Sequence, residues 1–151
     1  MTKIQIIVCN FDHPTDCFPL WSNLCIKCDD YYFPSSNWND AMSSILTMWA
    51  EQINRLLLGS STQAVLSFMD GDYSISLTSS SRVGAYADFL HPQGSMKING
   101  IIDLVYLARQ ILAAVEKAKT HCAKHRNEQT IRELIFAADK LRATLKQMSH
   151  Q

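Results

Sequence analysis

The sequence predicts an α+β protein: a mostly antiparallel sheet of about five to six strands, packed by one central helix and followed by a C-terminal antiparallel helical hairpin. Three observations predict it. Short runs rich in β-branched and aromatic residues recur through the first hundred positions, with turn residues between them. In their midst Met42, Ile45, Leu46, Trp49, Ile53, Leu56 and Leu57 recur at spacings of three and four, one face of a helix. Beyond residue 98 only the helical period remains.

Lys3 to Cys9 is a short isoleucine-rich run, expected as a central strand with both faces mostly buried. Asn10 to Pro14 breaks it, and Leu20 to Lys27 reads as a second strand with Leu24 and Ile26 on one face. Cys28-Asp29-Asp30 turns the chain into Tyr31-Tyr32-Phe33, an edge strand with one tyrosine inward and one outward, ended by Pro34. The central helix is expected over 37–58, with Asn37 as N-cap, Asp40 in the first turn and Gly59 as C-cap. Val65 to Phe68 and Tyr73 to Leu77 flank Asp70-Gly71, a tight-hairpin signal because both residues tolerate positive φ. Arg82 to Phe89 is expected as the last strand, at or near an edge and weakened by Gly84, with His91 to Ser95 as a loop.

In the C-terminal hairpin, expected over 98–147, Ile101, Leu104, Val105, Ala108, Ile111, Leu112, Val115 and Cys122 form one stripe. Ile131, Leu134, Ile135, Ala138, Leu141 and Leu145 form the other. Thr130 with Glu133 resembles a capping box, and Asn127 is an equally good cap. The short break between Lys124 and Asn127 favours an antiparallel pair. With no repeat and no long linker, residues 1–151 are expected to form one domain.

The formal net charge is zero, which argues against a global field for nucleic acid or anionic membrane. The distribution is uneven. Residues 1–100 hold nine acidic and five basic side chains, and residues 101–151 hold five and nine, roughly −4 against +4. Asp12, Asp16, Asp29, Asp30, Asp70, Asp72 and Asp88 all fall in or beside expected turns, a position aspartate favours for its own reasons. No apolar run approaches the roughly 20 residues of a membrane span. The odd count of five cysteines fits a reducing compartment, so a cytoplasmic location is expected.

Several constellations carry residue types suited to chemistry. Cys25-x-x-Cys28, with His13 and Cys17 upstream, offers four zinc-type donors but lacks a second tight pair, and the redox reading needs a helix N-terminus where this chain has Asp29-Asp30. His121 and His125 stand one helical turn apart among Lys117, Lys119, Lys124 and Arg126, a setting that suits a helix C-terminus better than a divalent ion. There is no G-x-S-x-G and no glycine-rich phosphate loop. The hairpin aspartates Asp70 and Asp72 would be hydrated, with no lever on their pKa. Arg132, Lys140, Arg142 and Lys146 are diluted by Glu128, Glu133 and Asp139, a solvated face rather than a nucleic-acid helix. The expectation is therefore no enzyme activity, no cofactor, no metal and no direct nucleic-acid or membrane partner.

The stretch from Trp21 to Leu77 resembles the small cytoplasmic immunity proteins of bacterial polymorphic-toxin and contact-dependent growth inhibition systems. The residues that carry this are the strand and turn into Phe33-Pro34, Trp38-x-Asp40, Trp49 within a helix, and Phe68-Met69-Asp70-Gly71-x-Tyr73. The chain departs from the pattern at Asp72, where such proteins often carry a bulky residue. The resemblance implies stoichiometric neutralisation of the cognate toxin domain of a large effector protein, commonly a nuclease with a cationic cleft. An acidic surface would meet such a cleft. The expected contact residues are Asp29, Asp30, Tyr31, Tyr32, Asp70 and Asp72, in a 1:1 complex with a monomer. The alternative is a cytoplasmic chaperone or adaptor that binds a basic partner protein.

Overall fold

The computed structural model of the chain describes residues 1–9, 11, 21–98, 100–125 and 128–150, with the side chains of 122–125, 130 and 131 outside that description. Two antiparallel sheets and three helices share one buried core. The first sheet contains β1 (Ile4–Cys9), β2 (Ser22–Cys28), β3 (Tyr31–Phe33) and β4 (Asn39–Asp40), with β2 paired to all three others. Then comes α1 (Met42–Leu58). The second sheet is β5 (Gln63–Ser67), β6 (Ser74–Ser79), β7 (Gly84–His91) and β8 (Gly94–Lys97) in that order, with β9 (Ile102–Asp103) also on β7. The C-terminal pair is α2 (Leu104–His125) and α3 (Glu128–Ser149).

The α+β class, the central helix and the C-terminal helical pair stand as the sequence predicts. The pair begins at Leu104 and not at 98, because Ile102 and Asp103 are drawn into pairing on β7, which leaves Ile101 outside the helix. The strands divide between two sheets. Arg142 of α3 reaches back to Glu116 of α2, which fixes the pair as antiparallel. Both helices also pack on α1, and α2 flanks β1. That flank corrects the expectation of a central first strand: β1 lies at the end of its sheet, and α2 covers its free side, where the Gln110 side-chain oxygen accepts the Ile6 N–H at 3.2 Å. A short parallel bridge joins the sheets, with the Thr2 N–H donating to the Ile101 carbonyl (2.7 Å) and the Thr2 carbonyl accepting from Asp103 N–H (2.9 Å).

Three further boundaries differ from expectation. Helix α1 begins at Met42, not at 37, because Trp38 to Asp40 is drawn into extended pairing along β2: Leu24 N–H bonds the Trp38 carbonyl at 2.9 Å, and Ser22 pairs with Asp40. Asn37 is therefore no N-cap, and Asp40 stands outside the first turn; Gly59 caps the C-terminus as expected, at φ 73°. The Asp70-Gly71 turn is a six-residue loop closed by Phe68 N–H to the Tyr73 carbonyl (3.0 Å), and only Gly71 takes positive φ there, 87°. Strand β7 is internal and not last. It runs through to His91, turns at Pro92-Gln93 and is followed by β8 and β9.

Gly84 has a packing reason to be glycine. A Cβ built there would lie 2.6 Å from the Cγ2 of Ile101, a branched side chain with little room to yield. Gly84→Ala is expected to destabilise the fold by about 1–3 kcal/mol, as overpacking does. Equilibrium unfolding in urea measures this, and an unchanged midpoint would contradict the close approach.

Candidate binding surface

The residues that carried the resemblance meet at one point in space. Asp40 is wholly buried, at 0% exposure, and its carboxyl group accepts four hydrogen bonds. One oxygen takes the Ala41 N–H (2.7 Å), and the other takes the Trp38 indole N–H (3.0 Å) and the N–H groups of Met69 and Asp70 (3.1 Å each). The last two bonds tie the β5–β6 loop to the first sheet. Tyr73 closes against Trp38 edge-to-face at 4.9 Å, and a Cβ on Gly71 would come within 3.2 Å of the Tyr73 ring. Trp49 adds a bond from its indole N–H to the Ser67 carbonyl (2.9 Å) and an edge contact with Phe68 at 5.1 Å. Trp38-x-Asp40 and Phe68-Met69-Asp70-Gly71-x-Tyr73 thus form a clamp that holds a loop in one shape. Asp70 and Asp72 point from it into solvent.

Asp29 and Asp30 form the two-residue turn between β2 and β3, with Asp29 at φ 52°, a conformation aspartate tolerates better than most residues. Both are exposed. Tyr31 follows, 39% exposed, its ring stacked on Phe89 of β7 at 5.9 Å. Tyr32 leaves the opposite face of β3, beside Lys27, whose ammonium lies 5.5 Å from the ring centre. The edge strand therefore alternates as expected, and only Tyr31 faces the second sheet.

Between the β2–β3 turn and the β7–β8 hairpin lies a cleft of about 500 Å³, lined by Thr2, Cys28, Asp29, Asp30, Tyr31, Phe89, Met96 and Ile98. Its rim is acidic, and Tyr31, Phe89, Met96 and Ile98 supply its apolar wall. The cleft brings three of the expected contact residues together. Asp70 and Asp72 are held at the other end of β2, beside Ser22; six residues of strand separate the two ends, about 20 Å at the usual rise.

No protein-family model, no curated protein and no solved structure matches this chain.

The electrostatics are asymmetric. The ion pairs among the described residues lie within α2 and α3, through Glu116, Lys119, Glu128, Arg132, Asp139 and Arg142. None reaches Asp29, Asp30, Asp70 or Asp72. Burial raises the Glu116 carboxyl, but the Arg142 hydrogen bond and the Lys119 charge outweigh it and hold the group below the usual carboxylate range. The acidic turns keep uncompensated charge on the first hundred residues, and the basic half answers its own acids.

Residues Cys25 and Cys28 point to opposite faces of β2, since strand side chains alternate. Cys25 donates weakly to the Ser36 carbonyl at 3.9 Å, and Cys28 lines the cleft. Burial, with a smaller contribution from Cys9, pushes the Cys25 thiol up to about 11; burial and then Asp29 raise Cys28. Among the described residues no three of His, Cys, Asp and Glu gather as metal ligands. His13 and Cys17 lie outside the described residues, as does the His125 side chain; the His121 ring stacks on Phe11 at 4.6 Å.

The Cys25 shift has a consequence for pH. Above the ordinary thiol value of 9.0 the unfolded chain releases a proton that the folded chain retains to about 11. The unfolded state is favoured in that window, so this contribution to stability is intact below pH 9 and declines as pH rises toward 11. Urea midpoints measured at pH 8 and pH 10.5 should show a smaller pH-dependent loss in Cys25→Ala than in the parent; equal losses would contradict the assignment.

Sequence reasoning missed the opposing wall of the cleft. Phe89 and Met96 pair across β7 and β8, where the sequence pattern predicts a loop over His91 to Ser95 and no strand after it. The signal present was the pair Pro92-Gln93 followed by Gly94, a short turn. Asp40 was legible only as a helix-terminal charge, because its partners at Met69 and Asp70 are distant in sequence.

Proposed function

We propose that this chain is an immunity protein that neutralises a cognate toxin C-terminal domain, a nuclease in the favoured case, by direct stoichiometric binding in the cytoplasm. The observation that carries the reading is the uncompensated acidic rim of Asp29 and Asp30 over an apolar wall that includes Tyr31 and Phe89. A partly exposed tyrosine over an apolar wall is the kind of side chain that anchors interface hot spots. The sign is the one that complements a phosphate-binding cleft. The Asp40 clamp supports it too: a loop already fixed loses little entropy when a partner engages Asp70 and Asp72. The resemblance in Trp38-x-Asp40 and Phe68-Met69-Asp70-Gly71-x-Tyr73 names the class of partner. Among the described residues no helix is long and apolar enough to cross a membrane.

The test is co-expression of the C-terminal domain of the adjacent upstream reading frame, with and without this chain, followed by copurification. Growth arrest relieved by the chain with a stable complex supports the proposal. A domain that is neither toxic nor bound overturns it and favours the chaperone or adaptor. Reversal of charge in Asp29→Lys/Asp30→Lys should slow association about ten- to a hundredfold at low salt, because steering is lost. Stopped-flow association measures this, and an unchanged rate removes these residues from the interface.

A further inference from the structure

The edges of the two sheets are not alike. The free side of β1 is covered by α2. On β5 the Trp49 indole takes the Ser67 carbonyl and the Ser61 hydroxyl engages both the N–H and the carbonyl of Gln63, while the Val65 N–H and carbonyl stay on the outer side. Strands β3 and β4 are three and two residues long, and the edge of β9 is taken by Thr2. The edge that borders the cleft is β8. Ile98 N–H bonds the Ala87 carbonyl at 3.2 Å, which sets the parity of the ladder: Met96 exchanges hydrogen bonds with Phe89. The N–H and carbonyl groups of Ser95 and Lys97 therefore point away from β7, and no described residue meets them. All four residues of β8 are exposed.

This edge borders the acidic cleft. Met96 shares its face with Phe89 and lines the cleft, whereas Lys97 leaves the other face beside Asp88. A strand added to β8 would turn alternate side chains toward Asp29 and Asp30. It would extend the sheet along an edge whose outward N–H and carbonyl groups at Ser95 and Lys97 meet no described residue.

We propose that the β8 edge and the cleft are one docking site for an extended basic segment of a partner protein. The segment pairs its backbone with Ser95 and Lys97 and inserts a lysine or arginine. The stem of that side chain packs on Tyr31, Phe89 and Met96, and its charge sits at Asp29 and Asp30. Backbone pairing supplies affinity without regard to sequence, and the pocket supplies the selection for a long cationic side chain. The partner's identity rests on the immunity reading; the site itself does not.

Two arms separate those claims. In the first, the labelled hexapeptide Val-Arg-Val-Arg-Val-Arg and its Val-Glu counterpart are titrated against the full chain by fluorescence anisotropy. The arginine peptide should bind, and the glutamate peptide should bind at least tenfold more weakly. Ser95→Pro removes an outward N–H and leaves the ladder to β7 intact; it should weaken the arginine peptide at least tenfold, as should Asp29→Asn/Asp30→Asn. Residue-resolved hydrogen exchange of the unaltered chain gives a readout independent of any variant: the Ser95 and Lys97 amides should slow when the peptide is present. Binding without that protection, or no binding of the arginine peptide, overturns the site. In the second arm the upstream-encoded domain replaces the peptide. If it binds the parent and Ser95→Pro equally, the docking site falls and the immunity reading survives. If it binds neither while the peptide arm succeeds, the immunity reading falls and the site survives.

Discussion

Asp40→Ala should lower the stability of the fold by about 3–5 kcal/mol. A buried N–H left without a partner costs about 1–3 kcal/mol, and this substitution orphans one, at Ala41, together with three part-buried groups, at Trp38, Met69 and Asp70, that cost less each because water reaches them. The loss is not confined to one element. Asp40 ends β4, precedes α1 and holds the β5–β6 loop, so its removal frees Met69 and Asp70 from the first sheet. Asparagine is no rescue, because one of its two polar atoms is a donor facing donors. Urea unfolding of the parent, Asp40→Ala and Asp40→Asn measures the effect. A loss below about 1 kcal/mol would mean that the four bonds are replaced and that the clamp is not a determinant of the fold.

Phe33→Ala should cost a similar amount, about 3–5 kcal/mol, as full truncation of a buried phenylalanine does. Phe33 is 1% exposed and touches four rings: Phe89 stacked at 4.8 Å, Phe68 and Tyr73 edge-on at 5.7 and 5.8 Å, and Tyr31 at 6.5 Å. It belongs to the first sheet, whereas Phe89 belongs to the second, so its loss opens the junction between the sheets. The effect has a second readout. Tyr31 rests on Phe89 and flanks Phe33, so the cleft should lose its shape as well as its support. Phe33→Leu, which retains most of the volume, should recover most of the stability but less of the partner affinity. Equal recovery of both would show that the ring geometry is irrelevant to the surface.

Much of the fold was legible because the period of apolar residues survives any tertiary arrangement. The α1 stripe and Gly59 are examples: Met42, Ile45, Leu46, Trp49, Ile53, Leu56 and Leu57 are all buried, and the cap is left-handed. What was illegible came from long-range pairing. Trp38 to Asp40 has the residues of a helix start, but hydrogen bonds to Leu24 and the loop N–H groups fix it as extended backbone. Gly94-Ser95-Met96-Lys97 is exposed at every position and so shows no alternation, although it is a strand. Pro92 reads as a breaker, yet it sits in a two-residue turn. The acidic side of the cleft was visible as turn aspartates next to tyrosines. The side formed by Phe89, Met96 and Ile98 depended on a hairpin that the pattern conceals.

The Thr2–Ile102 bridge and the bond between Ile6 and Gln110, 104 residues apart, bear on the order in which the chain can assemble. Neighbouring strands from β5 to β8 are joined by short loops, whose closure costs little entropy. Closing a loop of a hundred residues costs about 4 kcal/mol from chain length alone, and the first fastener waits for β9 and the second for α2 to leave the ribosome. The first sheet is therefore synthesised first and secured last. During translation β1 and β2 can pair, but the outer side of β1 stays open until α2 covers it. The interval between the two events is the period in which this chain is most exposed to mispairing with its neighbours.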